Sequence, residues 1–197
     1  MPNPWDERYL QNDTPWERGQ RNRELARVLE EQAIQPCRAL ELGCGTGNDC
    51  LWLASLGFDI IGVDISPTAL ERARQKAVTA GATCRFVLAD VFKLPDLGEP
   101  FGLIVDIGCY HAVRKIDEAA YVAALHQLLA KDGLLLVLCG NAKENTDPGP
   151  PRVSEGEIRA AFADRFKIRH LREFRLDPMP DERKQHLFWS VLLGSQG

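Results

Sequence analysis

The sequence predicts an α/β fold: a doubly wound, mostly parallel sheet with helices on both faces. Three observations carry this. Short apolar runs alternate with segments of helical periodicity from residue 38 onward, and the first run opens onto a glycine-rich turn. The third is that the most apolar strand candidate, residues 134–138, lacks polar alternation, so both of its faces must be covered.

The elements follow in order. The first 20 residues are polar and aromatic, and an amphipathic helix carrying Leu25, Val28 and Leu29 comes next. Arg38–Leu42 is the first strand, residues 49–56 a helix, and residues 58–63 a second buried strand. Ser66 then stands as an N-cap with Pro67 at the first helical position, ahead of the apolar stripe Ala69, Leu70, Ala73 and Ala77. Residues 84–88 and 101–105 form strands three and four. A helix over 117–130 buries Val122, Leu125 and Leu129, and Lys131-Asp132-Gly133 turns into the strand at 134–138. Ser154 and Glu157 make a capping box ahead of Ile158, Ala161 and Phe162. Residues 166–171 and 187–193 close the chain as a hairpin.

Composition narrows the function classes. The 197 residues are 45% apolar and 26% charged, with a formal charge of −4. That suits one globular domain over residues 36–197, preceded by an N-terminal cover and helix over residues 1–35. No run approaches the roughly 18 apolar residues of a membrane span. The opening MPNPWDERYL lacks the layout of an export signal, so a cytoplasmic location is expected. The acidic balance disfavours nucleic acid as a partner. Arg165, Lys167, Arg169, Arg172 and Arg175 alternate with Phe166 and Ile168, as on the solvent face of a strand. The six cysteines contain no C-x-x-C pair and read as reduced, mostly buried thiols, with no metal site expected. Oligomeric state is open, and a monomer is compatible with everything above.

The sharpest signal is Ala39-Leu40-Glu41-Leu42-Gly43-Cys44-Gly45-Thr46-Gly47-Asn48-Asp49. A strand running into glycines and then a helix brings backbone N–H groups close to a ligand. Asp64 ends the next strand roughly 20 residues on, where a carboxylate accepts hydrogen bonds from ribose hydroxyls. A dinucleotide fingerprint needs a glycine or alanine where Asn48 stands. Instead Glu41 precedes a G-x-G-x-G loop, an arrangement that repels a pyrophosphate and suits a ligand carrying an ammonium group. The bland alternative is a glycine turn that only tightens strand–helix packing.

Glu41 through Gly47 resembles motif I, E/D-x-G-x-G-x-G, of class I S-adenosylmethionine (SAM) methyltransferases. The resemblance implies their Rossmann-like, seven-stranded sheet with an antiparallel C-terminal strand, and SAM as cofactor. It implies that Glu41, Leu42 and the Gly43, Cys44, Gly45 and Gly47 loop hold the aminocarboxypropyl portion. Asp64 and Ile65 would meet the ribose side, and Asp90 with Val91 the adenine, although Asp90 alone could be an ordinary loop acid. Asp106 would lie beside the methionine end.

The ends of the chain narrow the group. Trp5-Asp6-Glu7-Arg8-Tyr9 followed by Thr14-Pro15-Trp16-Glu17-Arg18-Gly19 resembles the N-terminal segment of the thiopurine and thiol methyltransferases, which include tellurite-resistance-type enzymes. In that group the segment lies over the cofactor as a lid. Gly149-Pro150-Pro151-Arg152-Val153 resembles their segment bordering the acceptor pocket. The resemblance implies methyl transfer to a small molecule with a soft nucleophile (a thiol, a thiopurine, a selenium or a tellurium species). Small-molecule O- or N-methylation and a non-catalytic SAM-binding module are the alternatives.

Individual side chains keep two readings. Trp16 either covers the cofactor or anchors the N-terminal segment. His111 either deprotonates or orients an acceptor, or serves packing and capping, with Tyr110 beside it after strand four. Arg152 either binds an anionic substrate or makes a surface ion pair. The positions reading Asp106-Ile107-Gly108-Cys109-Tyr110 lack the D/N-P-P-Y/F of many N-methylating enzymes.

Overall fold

The computed structural model describes residues 3–145, 149–176 and 185–196. The chain divides into two compact units, Met1–Glu99 and Pro100–Gly197.

In the first unit, Asn3 caps a short helix α1 (Pro4–Leu10) through its side chain, with Pro4 at the first turn. The sequence reading gave this stretch no helix: seven residues carry too little periodicity to show one. Asn22 caps α2 (Arg23–Glu31), whose Leu25, Val28 and Leu29 are buried as expected. Then follow β1 (Arg38–Leu42), α3 (Asn48–Ser55), β2 (Asp59–Asp64), α4 (Pro67–Ala80) and β3 (Arg85–Leu88). β2 lies between β1 and β3, parallel to both, with Leu42 beside Val63 and Asp64 beside Leu88. Ser66 caps α4 by accepting the Ala69 N–H, and the stripe Ala69, Leu70, Ala73 and Ala77 is buried.

β2 carries a glycine for a steric reason. A Cβ on Gly62 would lie 2.7 Å from Cys50 Sγ and 2.8 Å from Cys44 Sγ. Both thiols are buried, and all six cysteines are unpaired.

The second unit contains β4 (Phe101–Ile107), α5 (Cys109–Leu128), β5 (Leu129–Asn141), β6 (Arg152–Val153), α6 (Glu155–Phe162), β7 (Phe166–Arg175) and β8 (Leu187–Ser195). β5 is parallel to β4 and to the two-residue β6, whereas β8 runs antiparallel to both β5 and β7. The mostly parallel α/β class with antiparallel C-terminal strands is thus present. β6 adds a short strand beyond the seven expected. The capping box at Ser154 and Glu157 forms with both bonds made.

Two elements differ from the sequence reading. α5 starts at Cys109 instead of Asp117, because the Asp106 carboxylate accepts the N–H groups of Cys109 and Tyr110 and so caps the helix from outside it. Asp117 does cap a helix by accepting the Ala120 N–H, but its φ of −160° and ψ of 88° make it a joint between two helical pieces. The helix also ends at Leu128, and the expected turn Lys131-Asp132-Gly133 lies inside β5. A register shift between Phe101 and Leu103 absorbs those residues.

Two glycines test this packing. Gly62→Val should destabilise the fold by about 1–3 kcal/mol through overpacking. Gly156→Ala, in α6 with open space around the new methyl, should stabilise it by about 0.5–1 kcal/mol. Chemical denaturation reads both, and an unchanged midpoint for Gly62→Val would contradict the packing described.

Candidate active site

The site in the first unit begins where β1 ends. Gly43, Gly45 and Gly47 all adopt left-handed backbone with φ of 67°, 52° and 75°. At Gly47 the requirement is also steric, since a Cβ there would stand 2.9 Å from the Phe86 ring and 3.0 Å from Ala73 Cβ. The turn is held from within: Cys44 N–H donates to Val63 O at 3.0 Å, and Gly47 N–H to Cys44 O at 2.9 Å. Leu42 and Cys44 are buried and Gly43 is exposed.

Carboxylates gather around this turn. Asp64 accepts the Gly45 N–H and the Ser66 N–H, each at 2.8 Å, one on each oxygen. Glu41 accepts the Cys50 thiol at 2.9 Å, and Asp49 accepts the Asn22 N–H at 2.6 Å. Glu41 and Asp64 are only 4% and 7% exposed. Among the described residues no cation forms a salt bridge with Glu41 or Asp64.

The electrostatic consequence follows directly. Burial, together with the charges of Asp49 and Asp64, drives the Glu41 pKa well above the usual carboxylate range. Burial and the charge of Glu17 push Asp49 up to about 6, and burial raises Asp64. Arg21 acts on Asp49, but among the described residues no cation pairs with Glu41 or Asp64, and a buried acidic pair of that kind fits a ligand that brings positive charge. Asp64 also keeps lone pairs for hydroxyl donors after its two backbone bonds. An ammonium, a sulfonium and ribose hydroxyls meet these demands, so the residues present fit SAM.

The neighbouring strand ends complete the surface. Asp90 is half-buried and accepts the Phe92 N–H at 3.0 Å, and Val91 beside it is buried. Ala89 N–H donates to Asp64 O, which ties the ends of β2 and β3. Ile65 exposes 39% of its surface next to Asp64. Glu41, Gly43, Gly45, Gly47, Asp64, Ile65, Asp90 and Val91 therefore share the carboxyl end of the first unit's strands, the ligand end of open α/β sheets.

The N-terminal segment packs onto this end. Trp16 Nε1–H donates to Tyr9 Oη at 2.9 Å, and the Tyr9 hydroxyl rests against Gly45. Trp5 and Trp16 meet edge-to-face with centroids 5.4 Å apart. Asp6 reaches the start of α4, accepting from Ser66 Oγ at 2.6 Å and Thr68 N–H at 2.9 Å. Glu17 accepts from Thr46 Oγ and Asn48 Nδ2 on the glycine turn and its helix. The sequence reading quotes Tyr9 in the motif that carries the resemblance but assigns a site role in this segment to Trp16 alone, and it gives none to Asp6 or Glu17, two acids in a polar stretch.

In the second unit, Asp106 is fully buried with its carboxylate engaged by the Cys109 N–H, the Tyr110 N–H and the Tyr121 hydroxyl at 2.7–3.0 Å. Burial pushes its pKa up to about 6. It shapes the start of α5. Tyr110 is fully buried, and its hydroxyl donates to Glu118 at 2.6 Å. His111 Nδ1 accepts the Gly140 N–H at 2.8 Å, and burial lowers its pKa to about 4. The imidazole is therefore neutral with its proton on Nε2, which makes that nitrogen a donor. Arg152 is half-buried on β6 and already engaged. No group of His, Cys, Asp and Glu able to hold a metal occurs among the described residues.

Comparison with known proteins gives the family. Residues 1–191 match the model of the family Thiopurine S-methyltransferase (TPMT). Probable thiol methyltransferase 2 of Arabidopsis thaliana is 30% identical over 154 residues, covering 78% of this chain and 68% of that protein. Thiocyanate methyltransferase 1 of Brassica oleracea is 31% identical over 152 residues, covering 75% of this chain and 65% of the relative. A structure solved in work on conversion of a disulfide bond into a thioacetal group during echinomycin biosynthesis matches with a TM-score of 0.84 at 25% identity, over 97% of this chain and 90% of the other. TehB from Haemophilus influenzae shares the fold, with a TM-score of 0.71 at 18% identity over 86% of this chain and 61% of its own. The chain belongs to the thiopurine S-methyltransferase family and is an S-adenosylmethionine-dependent methyltransferase.

Proposed function

We propose that the chain methylates a small molecule with a soft nucleophile: a thiol, a thiopurine, or a selenium or tellurium species. The observation that carries this is the state of the candidate bases. His111 spends Nδ1 on the Gly140 N–H and stays neutral far below pH 7. The Tyr110 hydroxyl is committed to Glu118, and burial raises its pKa further. Neither accepts a proton from an acceptor near neutral pH. A thiol with a pKa near 8.5 or below supplies its own thiolate, so no base is needed. The relatives named for thiol and thiocyanate methylation support the same class.

SAM supplies a methyl group on a sulfonium leaving group, so transfer is an in-line displacement that needs positioning more than acid–base help. Glu41 and the Gly43–Gly47 turn would hold the aminocarboxypropyl portion, Asp64 and Ile65 the ribose side, and Asp90 and Val91 the adenine. Trp16 would cover the cofactor through Tyr9. Asp106 acts through α5, whose start it sets. Arg152 would face the acceptor side. Six unpaired cysteines and the lack of any membrane-spanning helix among the described residues support a reducing, cytoplasmic location.

Two outcomes are expected. Asp64→Ala should weaken SAM binding by roughly ten- to a hundred-fold in calorimetric titration, since hydrogen bonds to a carboxylate carry about 1.5–3 kcal/mol each. Wild-type affinity in that variant would remove Asp64 from the site. With radiolabelled SAM and a series of thiols, the acid limb of kcat/KM should move with the pKa of the acceptor. A limb fixed near pH 4 or 6 for every acceptor would implicate His111 or Asp106 instead. Transfer confined to phenols and amines would reject the soft-nucleophile reading.

A further inference from the structure

The glycine turn is held by side chains from two other stretches of the chain. Thr46, 3% exposed, stands between Gly45 and Gly47. Its hydroxyl donates to Glu17 and accepts from Lys76 Nζ of α4. Asn48, the first residue of α3, repeats the pattern: its amide nitrogen donates to Glu17, and its amide oxygen accepts from Lys76 at 2.7 Å. Glu17 and Lys76 themselves stand 4.0 Å apart. Glu17 is aimed by its own turn, in which its N–H bonds Thr14 O at 2.9 Å and its carboxylate receives the Gly19 N–H at 3.1 Å.

We propose that Glu17 is a positioning residue for cofactor binding, a latch that joins the N-terminal segment to the glycine turn through Thr46 and Asn48. The Glu17–Thr46–Asn48–Lys76 ring links three separate stretches of the first unit. Left-handed glycines on both sides of Thr46 give that turn little stiffness of its own. The ring fixes Thr46 and Asn48, and through them the shape of the turn. The same carboxylate holds the strand of chain that carries Trp16, so loop geometry and cover are set together. The proposal rests on the reading that this turn holds the cofactor, and it adds which outlying residue sets the turn's shape.

The test uses the full-length protein with S-adenosylhomocysteine for binding and SAM with an accepted thiol for turnover. Glu17→Ala should weaken binding and raise the KM for SAM by roughly ten-fold, the loss of charge-assisted hydrogen bonds, with kcat within about two-fold. Glu17→Gln, which keeps an acceptor oxygen, should recover part of the loss. Combining Glu17→Ala with Thr46→Val should cost less than the two single losses summed, because both remove one bond. Unchanged binding in Glu17→Ala, a fall in kcat at constant KM, or strict additivity would overturn the latch. If Glu17→Ala fails to fold, Glu17→Gln and Lys76→Met decide, and wild-type affinity in both would overturn it. Failure of the wild-type chain to bind the probe would instead overturn the cofactor reading of the turn.

Discussion

The first unit depends on an electrostatic demand that the protein does not meet from its own residues. Glu41, Asp49 and Asp64 are brought together by β1, the start of α3 and the end of β2, and the charges of Asp49 and Asp64 add to the cost of ionising Glu41. Ordinary cores avoid such sets or pair them with arginine or lysine. Arg21 acts on Asp49, but the hydrogen bonds on Glu41 and Asp64 come from a thiol and from backbone N–H groups, which orient those carboxylates without neutralising them. The missing positive charge is what a sulfonium and an ammonium bring.

Much of this was legible in the sequence because it is written in local grammar. G-x-G-x-G after an apolar strand, an acid ending the next strand, and Ser66-Pro67 opening a helix each depend on neighbours within a few residues. What the sequence hid depends on contacts across long separations. Asp106 caps α5 because the chain turns at Gly108, so two N–H groups fall on its carboxylate. Helical periodicity over 117–130 revealed only the second half of that helix. Lys131-Asp132-Gly133 has turn composition, yet the pairing of Leu129 and Leu134 with β4 on either side holds it in a bulged strand. Glu17 looked like one more surface acid, and only the fold shows it bonded to residues about thirty positions away.

The second unit reads as structure in support of chemistry rather than as a source of acid or base. Asp106 near the end of β4 and Tyr110 and His111 at the start of α5 are each tied to a partner inside the unit. Locked partners keep those side chains in single rotamers, which suits a reaction whose rate rests on alignment. A chain arranged this way works best on acceptors that arrive already nucleophilic.

The most direct measurement of the acidic demand is a calorimetric titration of the protein with SAM at pH 6, in two buffers of different ionisation enthalpy. Burial raises the pKa values of Glu41, Asp49 and Asp64 above the ordinary carboxylate range, so the free protein takes up protons there more readily. A cation placed among them lowers those values, so protons must leave. Tight binding with net proton release is the predicted result. Binding with no proton release or with net uptake, or no binding of SAM at all, would contradict it.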